Sequence, residues 1–267
     1  VTADATALEI SGLGKSFGGV DALSDVGFRV GHGEIVSLIG PNGAGKTTAF
    51  NCLTGMQRAD KGTATGRDSE GREFPLLGRK PNEITERGVA RTFQNLRLFK
   101  GMTVLENVMV GRHCRSRAGI LGALLRDRRT LDEERRIVSV SMGYLDEVGL
   151  GARAGDLAGS LPYAEQKRLE IARALATEPF LLMLDEPAAG MNPAETAELE
   201  RMVLALVARH SLAVVLIEHD MRLVMGLSRH IVVLNQGRVI AEGAPQEIQS
   251  NPEVIRAYLG DEALAHA

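Results

Sequence analysis

Two short stretches of this chain carry residue types that could move a phosphoryl group. The first runs from Gly40 to Thr48 and reads GPNGAGKTT, which fits G-x-x-x-x-G-K-[ST] with Lys46 and Thr47 in the last two places. Glycines let consecutive backbone N–H groups converge on phosphate oxygens, and a helix that starts there adds the positive end of its dipole. A lysine at the end of such a loop neutralises the β- and γ-phosphates, and the hydroxyl after it can ligate Mg²⁺. The second stretch, Phe180 to Glu186, is apolar until it ends in two carboxylates. A buried strand tolerates acids at its end when they serve water or a cation. Asp185 is then expected to hold Mg²⁺ through a water, and Glu186 to act as the general base that orients and deprotonates the attacking water. An Asp-Glu pair alone could equally cap a following helix; downstream of a phosphate loop it points to a P-loop nucleoside triphosphatase.

Both stretches need a strand in front of them and a helix behind. The run Ile35–Ile39 leads into the glycine turn, and a helix is expected from Lys46. Short strands are expected at Ala7–Ile10, Val26–Val30, Val89–Phe93, Phe180–Leu184, Leu212–Ile217 and Ile231–Leu234. Short antiparallel strands and loops are expected between Gly55 and Lys80, where Gly, Arg, Asp and Lys dominate. From Thr103 to about Gly149 the pattern is helical, broken near Gly119–Gly122, with Ile137, Val140, Tyr144, Leu145 and Val148 at roughly helical spacing. A helix from about Ala164 to Ala176 follows, then one with the stripe Leu199, Met202, Val203 and Leu206, and a last one begins near Pro252. Strands alternating with helices imply a mainly parallel sheet covered on both faces.

The bulk numbers exclude several classes. The 267 residues suffice for one large domain with its own core, so no metal or disulfide staple is required. A net charge of −3 gives no electrostatic reason to expect nucleic acid as a partner. The basic stretch from Arg112 to Arg136 is interrupted by acids and reads as a solvated helical face. Cys52 and Cys114 lack metal-ligand spacing. Val1 to Thr6 reads as a disordered start without the pattern of a secretion signal, and no apolar run approaches the roughly 18 residues of a membrane span. The expectation is a cytosolic protein whose membrane contact comes through a partner.

The segment from Ser160 to Leu175, SLPYAEQKRLEIARAL, resembles the signature segment of ABC ATPases. Gln94 falls where that family places its glutamine loop, His219 where it places its switch histidine, Phe17 where an aromatic stacks on adenine, and Ala189–Asn192 in the D-loop. Within the family, the segments Arg91–Val108, Leu184–Pro193, Ile217–Met221 and Asn251–Gly260 resemble the ATP-binding subunit of branched-chain amino-acid importers. The resemblance covers nearly the whole chain, from about Leu8 to Leu259.

The resemblance implies an α/β P-loop ABC nucleotide-binding domain over residues 7–260, with an antiparallel β region and an inserted helical subdomain. The RecA-like core falls at about 7–97 and 177–260, the helical subdomain at about 98–176. It implies hydrolysis of ATP to ADP and phosphate, with Glu186, His219, Gln94 and Lys46 in catalytic roles. Nucleotide would be bound by Phe17, by Gly40, Pro41, Asn42, Gly43, Ala44, Gly45, Lys46, Thr47 and Thr48, and by Leu161, Pro162, Tyr163, Ala164 and Glu165. Mg²⁺ would meet Thr47, Gln94 and Asp185. The implied partners are a second, similar ATPase paired head-to-tail, two membrane permease subunits that hold the chain on the inner face of the membrane, and indirectly a solute-binding protein. The solute itself is not encoded, because the ATPase never touches it. A related exporter of envelope lipids and a non-transport ABC ATPase are the alternatives; the latter usually carries insertions or tandem domains that 267 residues cannot hold. Departures from the family pattern include Pro162 for the signature serine, Ala164 for its second glycine and Asn192 for the D-loop aspartate.

Overall fold

The computed structural model describes residues 6–115 and 128–259. Its first two strands, β1 (Thr6–Phe17) and β2 (Val20–Gly31), form a long hairpin. The turn is Gly18-Gly19 with φ of 53° and 87°, the double left-handed geometry that suits the twist of a two-residue hairpin. This pairs Phe17 with Val20 and sets the aromatic ring at the tip. The hairpin is more than twice the length of the strands expected at Ala7–Ile10 and Val26–Val30. Shifts in its register, between Ile10 and Leu13 among other places, interrupt the alternation that would have revealed it. Thr6, expected in a disordered start, opens β1; Val1 to Ala5 lie outside the described residues.

β3 (Ile35–Ile39) feeds the glycine turn and α1 (Lys46–Leu53). β4 (Lys61–Arg67) and β5 (Glu73–Pro75) complete a four-stranded antiparallel sheet in the order β2-β1-β4-β5. A short helix, α2 (Pro81–Glu86), precedes β6 (Val89–Arg91). Next come α3 (Val104–Arg112), α4 (Arg128–Glu147) and α5 (Tyr163–Leu175). The expected break near Gly119–Gly122 lies outside the described residues. Arg112, assigned to a solvated face, is instead buried and paired with Glu178 at 2.5 Å.

β7 (Leu181–Asp185), α6 (Pro193–His210), β8 (Ala213–Ile217), α7 (Met221–Leu227), β9 (His230–Asn235), β10 (Arg238–Gly243), α8 (Pro245–Gln249) and α9 (Pro252–Leu259) follow. The second sheet has the order β10-β9-β3-β8-β7-β6 and is parallel except for its β10–β9 edge. Its central strands are apolar at consecutive positions because both faces are covered. Leu181, Met183, Val215, Val36 and Leu38 join the core under the antiparallel sheet. Leu182, Leu184, Val214, Leu216 and Ile35 join the core under the helices. The stripe Leu199, Val203 and Leu206 of α6 lies in that second core, with Met202 packed at its border. Parallel strands aligned in this way bring the residues after β3, β6, β7 and β8 to one edge of the sheet. The candidate residues gather there.

Candidate functional site

The turn after β3 leaves no room for a side chain at two of its glycines. A Cβ on Gly40 would collide with the carbonyl oxygen of Leu234, and one on Gly45 would meet the Ala22 carbonyl oxygen at 2.5 Å. Gly45, with φ of 107°, occupies the left-handed region at the entry to α1. The loop is braced from behind: Gly237 N–H donates to Ala44 O at 3.0 Å, and Ser24 N–H donates to Gly237 O at 2.7 Å. Lys46 reaches back across the loop and donates from Nζ to Gly40 O at 2.6 Å and Pro41 O at 3.0 Å. Burial lowers the Lys46 pKa, opposed by the carboxylates of Glu186 and Asp185.

At the end of β7, Asp185 forms a buried pair with Arg91 at the end of β6, Nη2 to Oδ2 at 2.7 Å, with side chains only 7% and 6% exposed. The same guanidinium donates to Asn51 Oδ1 at 2.7 Å and lies 5.3 Å from the Phe50 ring and 5.1 Å from the Phe93 ring. Glu186 follows in a left-handed backbone conformation, φ 47°, and its N–H donates to Ile217 O at 2.9 Å. Gln94 Nε2 donates to Glu186 Oε2 at 2.7 Å. His219 stands open to solvent, 70% exposed, with Nδ1 3.9 Å from Glu186 Oε2. Beside it Glu218 is buried and accepts from Ala188 N–H at 2.8 Å and His219 N–H at 3.1 Å; burial raises its pKa.

The start of α5 lies elsewhere on the surface, against the turn after β7. Pro162 is the residue just before the helix, and its carbonyl accepts from Gln166 N–H at 3.0 Å. It therefore stands one place outside the first turn of α5. Tyr163 is 45% exposed, and its ring edge faces Gly190. Glu165 pairs with Arg153 at 3.3 Å. At the hairpin tip Phe17 is 46% exposed, with Lys15 Nζ 5.2 Å from its ring centre.

The sequence profile of ABC transporters matches residues 23–189, and that of the branched-chain amino acid ATP-binding cassette transporter matches residues 238–263. Over 254 residues the chain is 47% identical to the high-affinity branched-chain amino acid transport ATP-binding protein BraF of Pseudomonas aeruginosa, covering 95% of this chain and 98% of that protein. The chain belongs to the ABC transporter ATP-binding family. LivG of Escherichia coli K12, also a high-affinity branched-chain amino acid transport ATP-binding protein, is 46% identical over the same share of both chains. Among solved structures, the ADP conformation of MJ1267, an ATP-binding cassette of an ABC transporter, matches with a TM-score of 0.81 at 30% identity, covering 97% of this chain and 100% of that one. The expected fold is thus that of an ABC ATPase, a nucleotide-binding cassette with an antiparallel sheet and a helical region.

In this cassette the parallel sheet brings Lys46, Gln94, Asp185, Glu186 and His219 into one neighbourhood. Phe17 sits at the tip of the hairpin whose second strand, β2, backs Gly45 through Ala22 and Leu23. Leu161 to Glu165 form a separate patch beside Gly190. Three residues in contact with this cluster escaped the sequence reading: Arg91, Glu218 and Lys167. Lys167 is 2% exposed although it lies on α5 four residues before Ile171 and eight before Leu175, on the apolar stripe of the helix. A charge on an apolar stripe was the available signal. No group of three or more metal-ligating side chains occurs among the described residues, and no described helix is long and apolar enough to cross a membrane.

Proposed function

We propose that this chain powers uptake of branched-chain or other hydrophobic amino acids by hydrolysing ATP at the phosphate loop, with Glu186 as the general base. The observation that carries this reading is the position of Glu186: it follows Asp185, touches Gln94, and has His219 within 3.9 Å of its carboxylate. A base so held can take the proton of a water that attacks the γ-phosphate. Lys46 and the loop amides hold the β- and γ-phosphates, and Phe17 stacks on the adenine. Thr47 and Asp185 offer the hard oxygen donors that suit Mg²⁺, with Gln94 beside them. Bound there, Mg²⁺ would supply positive charge to offset what develops on the phosphate oxygens. Arg91 already holds Oδ2 of Asp185, which orients the carboxylate without closing its second oxygen.

Two cassettes pair head-to-tail, so that each chain's Leu161–Glu165 segment meets nucleotide on the other chain's phosphate loop. The exposed Tyr163 and the separation of this segment from its own loop support that arrangement. The permease subunits dock in a groove of about 340 Å³ between β6, α3 and α5, where Phe99, Val110 and Arg173 line the wall. This docking keeps the chain at the inner face of the membrane. The profile match over residues 238–263 favours import over the lipid-exporter alternative. Reconstitution in vesicles with two permease subunits and a solute-binding protein tests the reading. ATP-dependent accumulation of labelled leucine, lost in Glu186→Gln, is the expected result; ATP hydrolysis with outward movement of lipid and no amino-acid uptake would refute it.

A further inference from the structure

Lys167 lies where three functional segments meet. It stands in the second turn of α5, five residues after Pro162, with its ammonium directed into the protein and the residue only 2% exposed. Nζ donates to the backbone carbonyl of Gln94 at 2.9 Å, and it reaches the carbonyls of Glu186 at 3.4 Å and Phe93 at 3.5 Å. The Tyr163 ring centre is 5.9 Å away. Burial lowers the lysine's pKa, and the carboxylates of Glu170, Glu218, Asp185 and Glu186 draw it back up.

These contacts differ from those of an ordinary buried lysine, which neutralises one acid. Every acceptor here is a main-chain oxygen, and two belong to the residues whose side chains form the Gln94–Glu186 pair. Glu186 occupies a left-handed conformation that a side chain rarely adopts. Its peptide groups are fixed on both sides, by Ile217 O on the N–H and by Ala189 N–H at 3.3 Å and Lys167 on the carbonyl. Gln94 lies on irregular backbone after β6, where no strand partner sets its position. An ammonium with three donors matches three converging carbonyls.

We infer that Lys167 is a positioning residue: it locks Gln94 and Glu186 to one another and ties both to the helix whose first residues face the second nucleotide. The inference rests on the reading of Glu186 as general base. The helix start and the catalytic pair then move as one piece. A shift of α5, caused by phosphate at its N-terminus, reaches the base of this chain's own site through one side chain.

The test uses the full chain assembled with its permease subunits and compares Lys167→Met, which keeps the length and loses the charge, with Lys167→Arg. Lys167→Met should lower kcat by about tenfold to a hundredfold, the scale of a small misplacement of a reacting group. Its affinity for ATP should stay within about threefold, because phosphate and adenine contacts are untouched. Lys167→Arg, which keeps the donors, should recover most of the rate. Adding Gln94→Ala to Lys167→Met should cost little more than either change alone, since the lysine acts through that loop. The inference is overturned if Lys167→Met retains kcat within about twofold, or if the two losses multiply. Where Lys167→Met does not fold, Lys167→Gln takes its place with the same criteria. Glu186→Gln is measured in parallel. Its turning over near the wild-type rate would remove the base assignment itself, whereas an inactive Glu186→Gln beside a fully active Lys167→Met would remove only the role of the lysine.

Discussion

Gln94 Nε2 donates to Glu186 Oε2 at 2.7 Å, joining the loop after β6 to the residue after β7 across 92 positions of sequence. A carboxylate that receives this bond is oriented while keeping its second oxygen for a water. Glu186→Gln preserves shape and removes the basic oxygen, so turnover should fall by about a hundredfold to ten-thousandfold. ATP binding should survive in that variant and weaken in Lys46→Ala, which loses the cation facing the triphosphate. Equilibrium nucleotide binding and steady-state hydrolysis on both variants check the contrast. Hydrolysis by Glu186→Gln near the wild-type rate would reassign the base.

The Arg91–Asp185 pair is almost completely withdrawn from water. Removing one member of such a pair leaves a buried charge without its counterpart, at a cost of about 3–5 kcal/mol. Arg91→Met should therefore destabilise the fold by that order. Arg91→Lys, which keeps charge and loses the forked geometry that reaches Asn51, should fall between. Urea unfolding of the three proteins measures this, and an Arg91→Met loss under about 1 kcal/mol would contradict it.

Burial raises the Glu218 carboxyl above its ordinary value of 4.5. Between the ordinary and the raised value, the folded chain holds a proton that the unfolded chain has released. This group's contribution to stability is therefore fullest below the ordinary value and is lost as pH rises through the folded one. Glu218→Gln does not titrate and should lack that slope. Urea unfolding from about pH 5 to about pH 8 should show the wild type losing stability relative to the variant. A difference that is constant with pH would place the titration elsewhere.

Pro162 offers neither a hydroxyl nor an N–H at the position where most of the family has serine. The N–H groups of Tyr163 and Ala164 remain at the helix start and still favour phosphate. One missing hydrogen bond to a charged group corresponds to about 1.5–3 kcal/mol. Pro162→Ser should tighten ATP by about tenfold to a hundredfold at the site built on the partner's phosphate loop, and leave the site of Lys46 nearly unchanged. Binding measured with each loop lysine disabled in turn resolves the two. Equal affinities that ignore the substitution would leave proline with only its local part, as the residue that precedes α5.

The phosphate loop, the acidic strand end and the parallel core were legible because each is a local pattern: glycines at fixed offsets, an unbroken apolar run, a helical stripe. The β1–β2 hairpin was shortened in the reading because bulges break its alternation. β10 was missed because its apolar residues, Val239 to Ala241, make a run of only three and are half-buried. Three short helices, α2, α7 and α8, are each under two and a half turns, too few for a period to declare itself. Arg91, Lys167 and Glu218 gain their meaning from contacts between segments far apart in sequence. Only Lys167 carried a local signal, a charge on the apolar stripe of α5; nothing near Arg91 or Glu218 in sequence distinguishes a buried tie from a surface charge. Asn192 departs from the family's aspartate, and its side chain accepts the N–H groups of Ala194 and Glu195 at the start of α6. That is a cap either residue can supply.

The bracing of Ala44 by Gly237, and of Gly237 by Ser24, has a thermodynamic consequence. Ordering one residue of free backbone costs about 1–2 kcal/mol. For the turn between β3 and α1 that cost is met during folding, by strands that arrive from β2 and from the β9–β10 edge. A nucleotide therefore meets amides already aimed and has little disorder left to remove. Its affinity then depends on charge and stacking, and loosening Gly237 behind the loop would weaken ATP without touching one atom that contacts it.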